Sequence, residues 1–272
     1  MRPAGKGSFR RLLLVNLSAG SVTPEVVTKI RTALDGFHYV EYRKRLKIGE
    51  LLSSRAQVVV AGGDGAVGTI ARQLLHTGHT LGILPAGTYN NFAHGLGIPA
   101  DIDSALEVVR HGRARLVSVG RANGKPFLEA GLVGLFGEAL LAGEAAKEFE
   151  LGELVEQLRA VAGAAKFEFT LSGDLVGRGS ARTLFFANTP RVGARIEVAD
   201  GTPLDNFLDF SLGDVFLRFK KVRLRTSPRV RLFADARPIG RTPASIEVDQ
   251  AALRVLLPVK SSQKLKVRFT LP

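Results

Sequence analysis

Up to about residue 112 the chain alternates short apolar runs with amphipathic stretches. RLLLVN (Arg11 to Asn16) has the length and composition of a buried strand. Thr23 is placed to cap a helix with Pro24 at its first position; Val26, Val27, Ile30, Ala33 and Leu34 fall on one face, and Gly36 is placed to end it. FHYVEY alternates as a strand, and Ile48, Leu51 and Leu52 mark a short helix. QVVVAG (Gln57 to Gly62) is the most strand-like run of this half. After it Val67, Ile70, Ala71, Leu74 and Leu75 follow the i, i+3, i+4, i+7, i+8 stripe of a helix. TLGILP is a further strand, with helical patterns near residues 88–95 and 101–111. Repeated βα units predict a parallel, doubly wound sheet.

From Leu116 the pattern changes. LVSVGRANGKPFLEAG predicts a hairpin turning at Asn123-Gly124. Residues 134–162 have helical spacing, with Leu135, Ala139 and Ala142 in one part and Leu151, Leu154, Val155 and Leu158 in the other. Alternating runs then dominate: FEFTL, TLFFAN, VRLR, VRLF, SIEV, LRVLLP and LKVRF. They predict antiparallel strands in a β-sandwich or distorted barrel. The expected fold is therefore α/β plus all-β. Residues 1–114 form the α/β domain and residues 115–272 the β-sandwich, whose last strand is free to return to the first domain.

Composition narrows the chemistry. At 272 residues the chain lies above the usual domain size, and 45% apolar residues suffice for a core. The absence of cysteine excludes disulfides, a thiol nucleophile and cysteine-ligated zinc. The basic first ten residues lead into only LLLV, too short for a signal-peptide core, and no stretch approaches 18 apolar residues. A soluble, cytoplasmic protein is expected. The net charge of +13 favours anionic partners. With no Trp and only three Tyr to stack on bases, nucleic acid is not among them. The histidines have no metal-ligand spacing, and no GxSxG elbow is present.

Two glycine turns remain. VVVAGGDGAVG (residues 58–68) ends a strand-like run in a turn carrying one carboxylate, Asp64. Such a cluster implies a φ > 0 geometry or a ligand approaching the backbone. LGILPAGTYNNFAHGLGIP repeats the strand-turn-helix pattern about twenty residues later. Neighbouring parallel strands would bring both turns to the carboxyl edge of the sheet, where open α/β sheets bind ligands. Backbone amides backed by a helix N-terminus suit a phosphate.

These motifs resemble the diacylglycerol kinase catalytic-domain family, which includes bacterial lipid kinases and sphingosine kinases. The family's GGDGT is GGDGA here (Gly62 to Ala66), and its LPxGTxNxFA is intact from Leu84 to Ala93. VNLSAG resembles its NPxSG turn, PLDNFLD its DGxLD stretch, and FADARPIGRTP its DGE-containing hairpin. The resemblance implies an ATP- and Mg²⁺-dependent kinase phosphorylating a lipid hydroxyl. Asn16, Gly62, Gly63, Asp64, Gly65, Ala66, Gly87, Thr88 and Asn90 would form the nucleotide pocket. Asp64 would be the catalytic carboxylate, and Asp205 matches a structural metal ligand. The family's threonine is Ala66, its Asn-Glu pair is Gly68-Thr69, a glycine is Asn206, and the glutamate used as proton acceptor is Arg237. Arginine cannot serve as a base. Either Asp64 takes the proton, or Arg237 holds an anionic substrate, or the chain is a pseudokinase that binds nucleotide or lipid. NAD kinases share the GGDG turn and are the enzyme alternative. A lipid substrate, peripheral contact of the basic stretch 218–231 with an anionic membrane surface, and an open question of homodimerisation complete the expectations.

Overall fold

The structure, a computed structural model, describes residues 9–138, 166–193, 196–213 and 215–259. The first half contains β1 (Phe9–Val15), α1 (Pro24–Ala33), β2 (His38–Glu41), β3 (Leu52–Gly62), α2 (Asp64–Leu74), β4 (Thr80–Pro85), α3 (Asn91–Gly95), α4 (Ile102–His111), β5 (Arg113–Ala122) and β6 (Lys125–Phe127). β1 to β4 are parallel in the order β2-β1-β3-β4. Leu12 to Val15 of β1 lie beside Val58 to Ala61 of β3, buried from both sides of the sheet. That burial explains why these strands read as continuous apolar runs without alternation.

The helix signals act as expected at α1, where the Thr23 side chain accepts from the Val26 amide and Pro24 stands in the first turn. One expectation fails nearby. Leu51 and Leu52 do not continue a helix from Ile48; Leu52 opens β3, pairing with Phe9. Three apolar residues satisfied helical spacing, but pairing with β1 claims more backbone hydrogen bonds than an isolated turn can make.

The second half contributes β7 (Ala130–Gly134), β8 (Phe167–Gly173), β9 (Gly177–Ala181), β10 (Thr183–Ala187), β11 (Arg191–Val192), β12 (Ile196–Glu197), β13 (Leu208–Leu212), β14 (Val215–Phe219), β15 (Lys221–Ser227), β16 (Arg231–Ala234), β17 (Arg237–Arg241) and β18 (Ala244–Leu257). SIEV and LRVLLP are one strand, β18, with an irregularity between Asp249 and Leu253 where Ala251 takes φ 52°. Residues 139–162 of the expected helix, and LKVRF, lie outside the described residues.

β18 joins the two halves. Its Arg254 and Val255 run parallel to β4, and its first residues run antiparallel to β15, with β5 alongside both stretches. The strand ladder is thus continuous across residue 114. A second sheet, β14-β13-β10-β7-β16-β17, packs on the β15 and β8 end of the first. Phe169, Leu171, Val222, Leu224 and Ile246 from one sheet meet Leu184, Phe186, Phe210, Phe219 and Leu232 from the other. The architecture is a doubly wound α/β unit followed by an antiparallel sandwich.

Candidate active site

β3 and β4 are adjacent and parallel, so the turns after Gly62 and Pro85 emerge at the same edge. They also touch. A Cβ added at Gly63 would lie 2.9 Å from the Gly87 Cα, and one at Gly87 only 2.4 Å from the Gly63 Cα. Neither residue has positive φ. Gly63 and Gly87 are therefore glycines so that the two turns can abut, a close approach of backbone to backbone. Gly65 is different: nothing lies within 4 Å of its added Cβ, and it lines a cavity. The second turn is held by Asn90 at φ 52°, whose amide donates to the Gly87 carbonyl at 2.7 Å and accepts from the Gly87 amide at 3.0 Å.

The cavity, about 860 Å³, lies between this edge and the second sheet. Asn16, Asp64, Gly65, Ala66 and Thr69 line it from the α/β side; Glu129, Ala130, Leu132, Asp235 and Arg237 line it from the sandwich side. Asp64 is the first residue of α2, a position where the helix dipole favours a carboxylate. Its Oδ1 accepts from the Phe92 amide at 3.3 Å. Burial nevertheless raises its proton affinity, with a smaller contribution from the charge of Asp235. Burial pushes Glu129 well above the ordinary carboxyl range, with Asp64 and Asp235 adding to the effect. The Asn91 amide, donating to Glu129 Oε2 at 3.0 Å, opposes it.

Asp235 is more fully engaged. Its Oδ1 accepts from the Glu129 amide at 2.9 Å, and its Oδ2 from the Leu128 amide at 2.9 Å and from Arg72 at 3.0 Å. Burial lowers the proton affinity of Arg72; Asp235 opposes this and the like charge of Arg237 adds to it. Asp64, Glu129 and the Asp235–Arg72 pair thus meet in one cavity, from α2, the residue before β7, and the β16–β17 turn, and Glu41, Arg43, Lys44 and Arg237 line it as well.

Of the residues singled out in the sequence, Asn16, Asp64, Gly65, Ala66 and Arg237 line this cavity. Gly62, Gly63, Gly87 and Asn90 shape its wall from behind, and Thr88 is exposed at the turn. Asp205 stands apart, beyond β5: it accepts from the Thr202 and Phe207 amides and pairs with Arg218, which also lies 4.0 Å from Asp209. Arg218 is thus the cation that the structure shows beside Asp205. Among the described residues no three His, Asp or Glu side chains form a preformed metal cage.

Glu129, Asp235, Arg72 and Asn91 were not singled out. Asn91 and Asp235 sit inside the quoted motifs LPAGTYNNFA and FADARP, so a signal existed for them. Glu129 and Arg72 carried none, because their partners are 38 or more residues away.

Comparison with known proteins agrees with this architecture. A two-part protein with paired glycine turns over a cavity lined by both carboxylates and cations is the class that the fold and site define. Residues 10–122 match the family profile of the diacylglycerol kinase catalytic domain. An uncharacterized protein of Synechocystis is 24% identical over 240 residues, 75% of this chain and 55% of that one. The diacylglycerol kinase of Bacillus subtilis is 42% identical over 74 residues, which span only 24% of its length. A Pseudomonas syringae protein named "Probable lipid kinase YegS-like" is 28% identical over 259 residues, 80% of this chain and 81% of that one. A diacylglycerol kinase structure from Bacillus anthracis superposes with a TM-score of 0.74 at 24% identity, covering 93% of this chain and 99% of that one. Yeast NADH kinase follows the same fold more loosely, with a TM-score of 0.52 at 12% identity over 96% of this chain and 90% of that one.

Proposed function

We propose that the chain is an ATP- and Mg²⁺-dependent lipid kinase that transfers the γ-phosphate to a lipid hydroxyl. One observation carries the reading: a single cavity is lined by Asp64 and Gly65 from the glycine-turn edge and by Glu129, Leu132 and Asp235 from the sandwich. A nucleotide entering from the first side and an acceptor from the second would meet over the carboxylates.

The donor set fits magnesium, which is held by one or two carboxylates together with substrate phosphates and needs no protein cage. Asp64 would hold it, and when bound it would offset the negative charge of the phosphates and of the three carboxylates. The α2 N-terminus and the open face of Gly65 admit phosphate oxygens close to the backbone. The acceptor's proton has a destination despite Arg237. Asp235 has both oxygens engaged by amides and Arg72, so its part is to position and to neutralise Arg72. Glu129, on the acceptor side, accepts from the Asn91 amide through Oε2, which leaves its other oxygen available to the acceptor hydroxyl.

A peripheral membrane position follows from the same reading. Lys221, Arg223 and Arg225 alternate outward along β15 while Val222 and Leu224 face the core. Such a row is attracted to anionic headgroups. Among the described residues no helix is long and apolar enough to cross a membrane.

The test is direct. Purified protein is incubated with labelled ATP, Mg²⁺ and a bacterial lipid extract, and the lipids are separated. Label in a lipid product, lost in Asp64→Ala and reduced in Glu129→Gln without change in ATP affinity, is expected. ATP binding with no labelled lipid would sink the kinase reading and leave a nucleotide-binding pseudokinase.

A further inference from the structure

Arg237 opens β17 and is the residue immediately after the tight β16–β17 turn, in which Asp235 and Ala236 take φ 45° and 61°. That turn is rigidly held, because Asp235 accepts from two backbone amides and from Arg72. Arg237 is therefore delivered to the cavity from a fixed point, and its side chain is exposed there. It has no hydrogen-bond or ion-pair partner among the described residues, in contrast to Arg72, Arg121, Arg218 and Arg231. Its near neighbour is a like charge, Arg72, whose own carboxylate partner is already spent on it. An anion arriving at this exposed guanidinium meets no competing carboxylate partner of Arg237. Apolar side chains line the same cavity: Ala130, Leu132 and Val192, along with the carboxylates of Glu129 and Asp235. A cation in a cavity that also offers apolar surface fits a ligand with an anionic head and a hydrophobic body.

We infer that Arg237 is an anion-recognition residue on the acceptor side of the cavity, binding a phosphate or phosphodiester oxygen of the bound ligand by a charge-assisted, bidentate contact. If the kinase reading above holds, the acceptor class that this geometry favours is an anionic amphiphile such as a glycerophospholipid with a free hydroxyl, in preference to a neutral diacylglycerol. The same chemistry is offered by the terminal phosphate of the nucleotide, and the two sources are separable.

The experiment compares the full chain with Arg237→Ala and Arg237→Lys in three measurements, after thermal melts have established equal folding. Pyrophosphate binding is titrated by calorimetry without any lipid, ATP binding likewise, and phosphate transfer is assayed with phosphatidylglycerol and with diacylglycerol vesicles made at equal neutral-lipid content. Loss of one charge-assisted bidentate contact predicts a weakening of roughly tenfold or more in Arg237→Ala, with partial recovery in Arg237→Lys. A rise in KM for phosphatidylglycerol with diacylglycerol unchanged assigns the anion to the acceptor. Weaker pyrophosphate and ATP binding with both acceptors equally affected assigns it to the nucleotide. Unaltered pyrophosphate and ATP affinities together with unaltered transfer to phosphatidylglycerol overturn the inference. If no lipid is phosphorylated by the parent chain, the kinase reading fails, and the pyrophosphate titration alone decides this one: no difference between parent and Arg237→Ala overturns it.

Discussion

Replacing Gly87 by alanine tests whether the two glycine turns are held back to back. The added Cβ lies 2.4 Å from the Gly63 Cα, about 1.1 Å short of a ~3.5 Å carbon contact; the reciprocal change at Gly63 gives 2.9 Å, about 0.6 Å short. The nearest atom is backbone in both cases, so neither clash can be relieved by a side-chain rotation. Overpacking of this kind costs ~1–3 kcal/mol, and the stiffer unfolded chain of an alanine variant returns at most ~1 kcal/mol. For a chain of this size each kcal/mol moves the melting temperature by ~2–4 °C, so Gly87→Ala should melt several degrees lower and Gly63→Ala somewhat less so. Gly65→Ala is the contrast, with open space around its Cβ and a place in the first turn of α2. It should melt no lower than the parent, and yet should weaken ATP binding by roughly tenfold, ~1.4 kcal/mol, because the methyl stands where phosphate oxygens approach. Scanning calorimetry and ATP titration on the three variants give the answer. A Gly87→Ala protein that melts with the parent would refute the abutting turns; a Gly65→Ala protein that binds ATP unchanged would refute phosphate approach at that face.

Three further outcomes are expected. Asp235→Asn leaves Arg72 buried without its counter-charge, with side-chain exposures of 15% and 12% for the pair, and should cost ~3 kcal/mol in denaturant unfolding; Arg72→Met in the same background should recover part of it. Glu129→Gln keeps an acceptor for Asn91 while removing a carboxyl whose folded-state proton affinity is raised. Such a group stabilises the fold below the ordinary carboxyl range and loses that contribution as pH rises towards its raised value, so the variant's melting temperature should gain on the parent's as pH rises from about 4.5 through the range above it. A constant difference across that range would show that Glu129 is not buried as a charge. Finally, sedimentation with anionic vesicles should exceed that with neutral ones and fall with salt; equal binding to both removes the electrostatic basis for membrane contact.

The sequence by itself determined the local units and the edge at which they converge. Thr23 and Pro24 announce α1, the uninterrupted LLLV and VVVA runs announce strands buried on both faces, and Asn123-Gly124 announces a hairpin whose two turn residues take φ 48° and 75°. In each case the deciding interaction spans a few residues, so spacing alone carries it. GGDGA and LPAGTYNNFA likewise placed Asp64 and the turns at the end of parallel strands, because strand-turn-helix order fixes which end of a strand a turn occupies.

What the tertiary structure decided involves contacts over long separations. The reason for Gly63 is Gly87, 24 positions later, and no local pattern distinguishes a glycine that admits a ligand from one that admits another turn. The strand pairing of Leu52 with Phe9 overrode a helical spacing that three residues happened to satisfy. Most consequentially, Asp64, Glu129 and Asp235 are scattered over the chain and become one site only because β7 and the β16–β17 turn of the second sheet fold over the carboxyl edge of the first. Read locally, DARP presents an arginine where a base was expected. In the folded chain the preceding Asp235 turns inward onto Arg72 and the amides of Leu128 and Glu129, and Arg237 is left facing the cavity. Burial and repulsion from neighbouring carboxylates then raise the proton affinities of Asp64 and Glu129, and those forces exist only once distant residues are brought together and water is excluded.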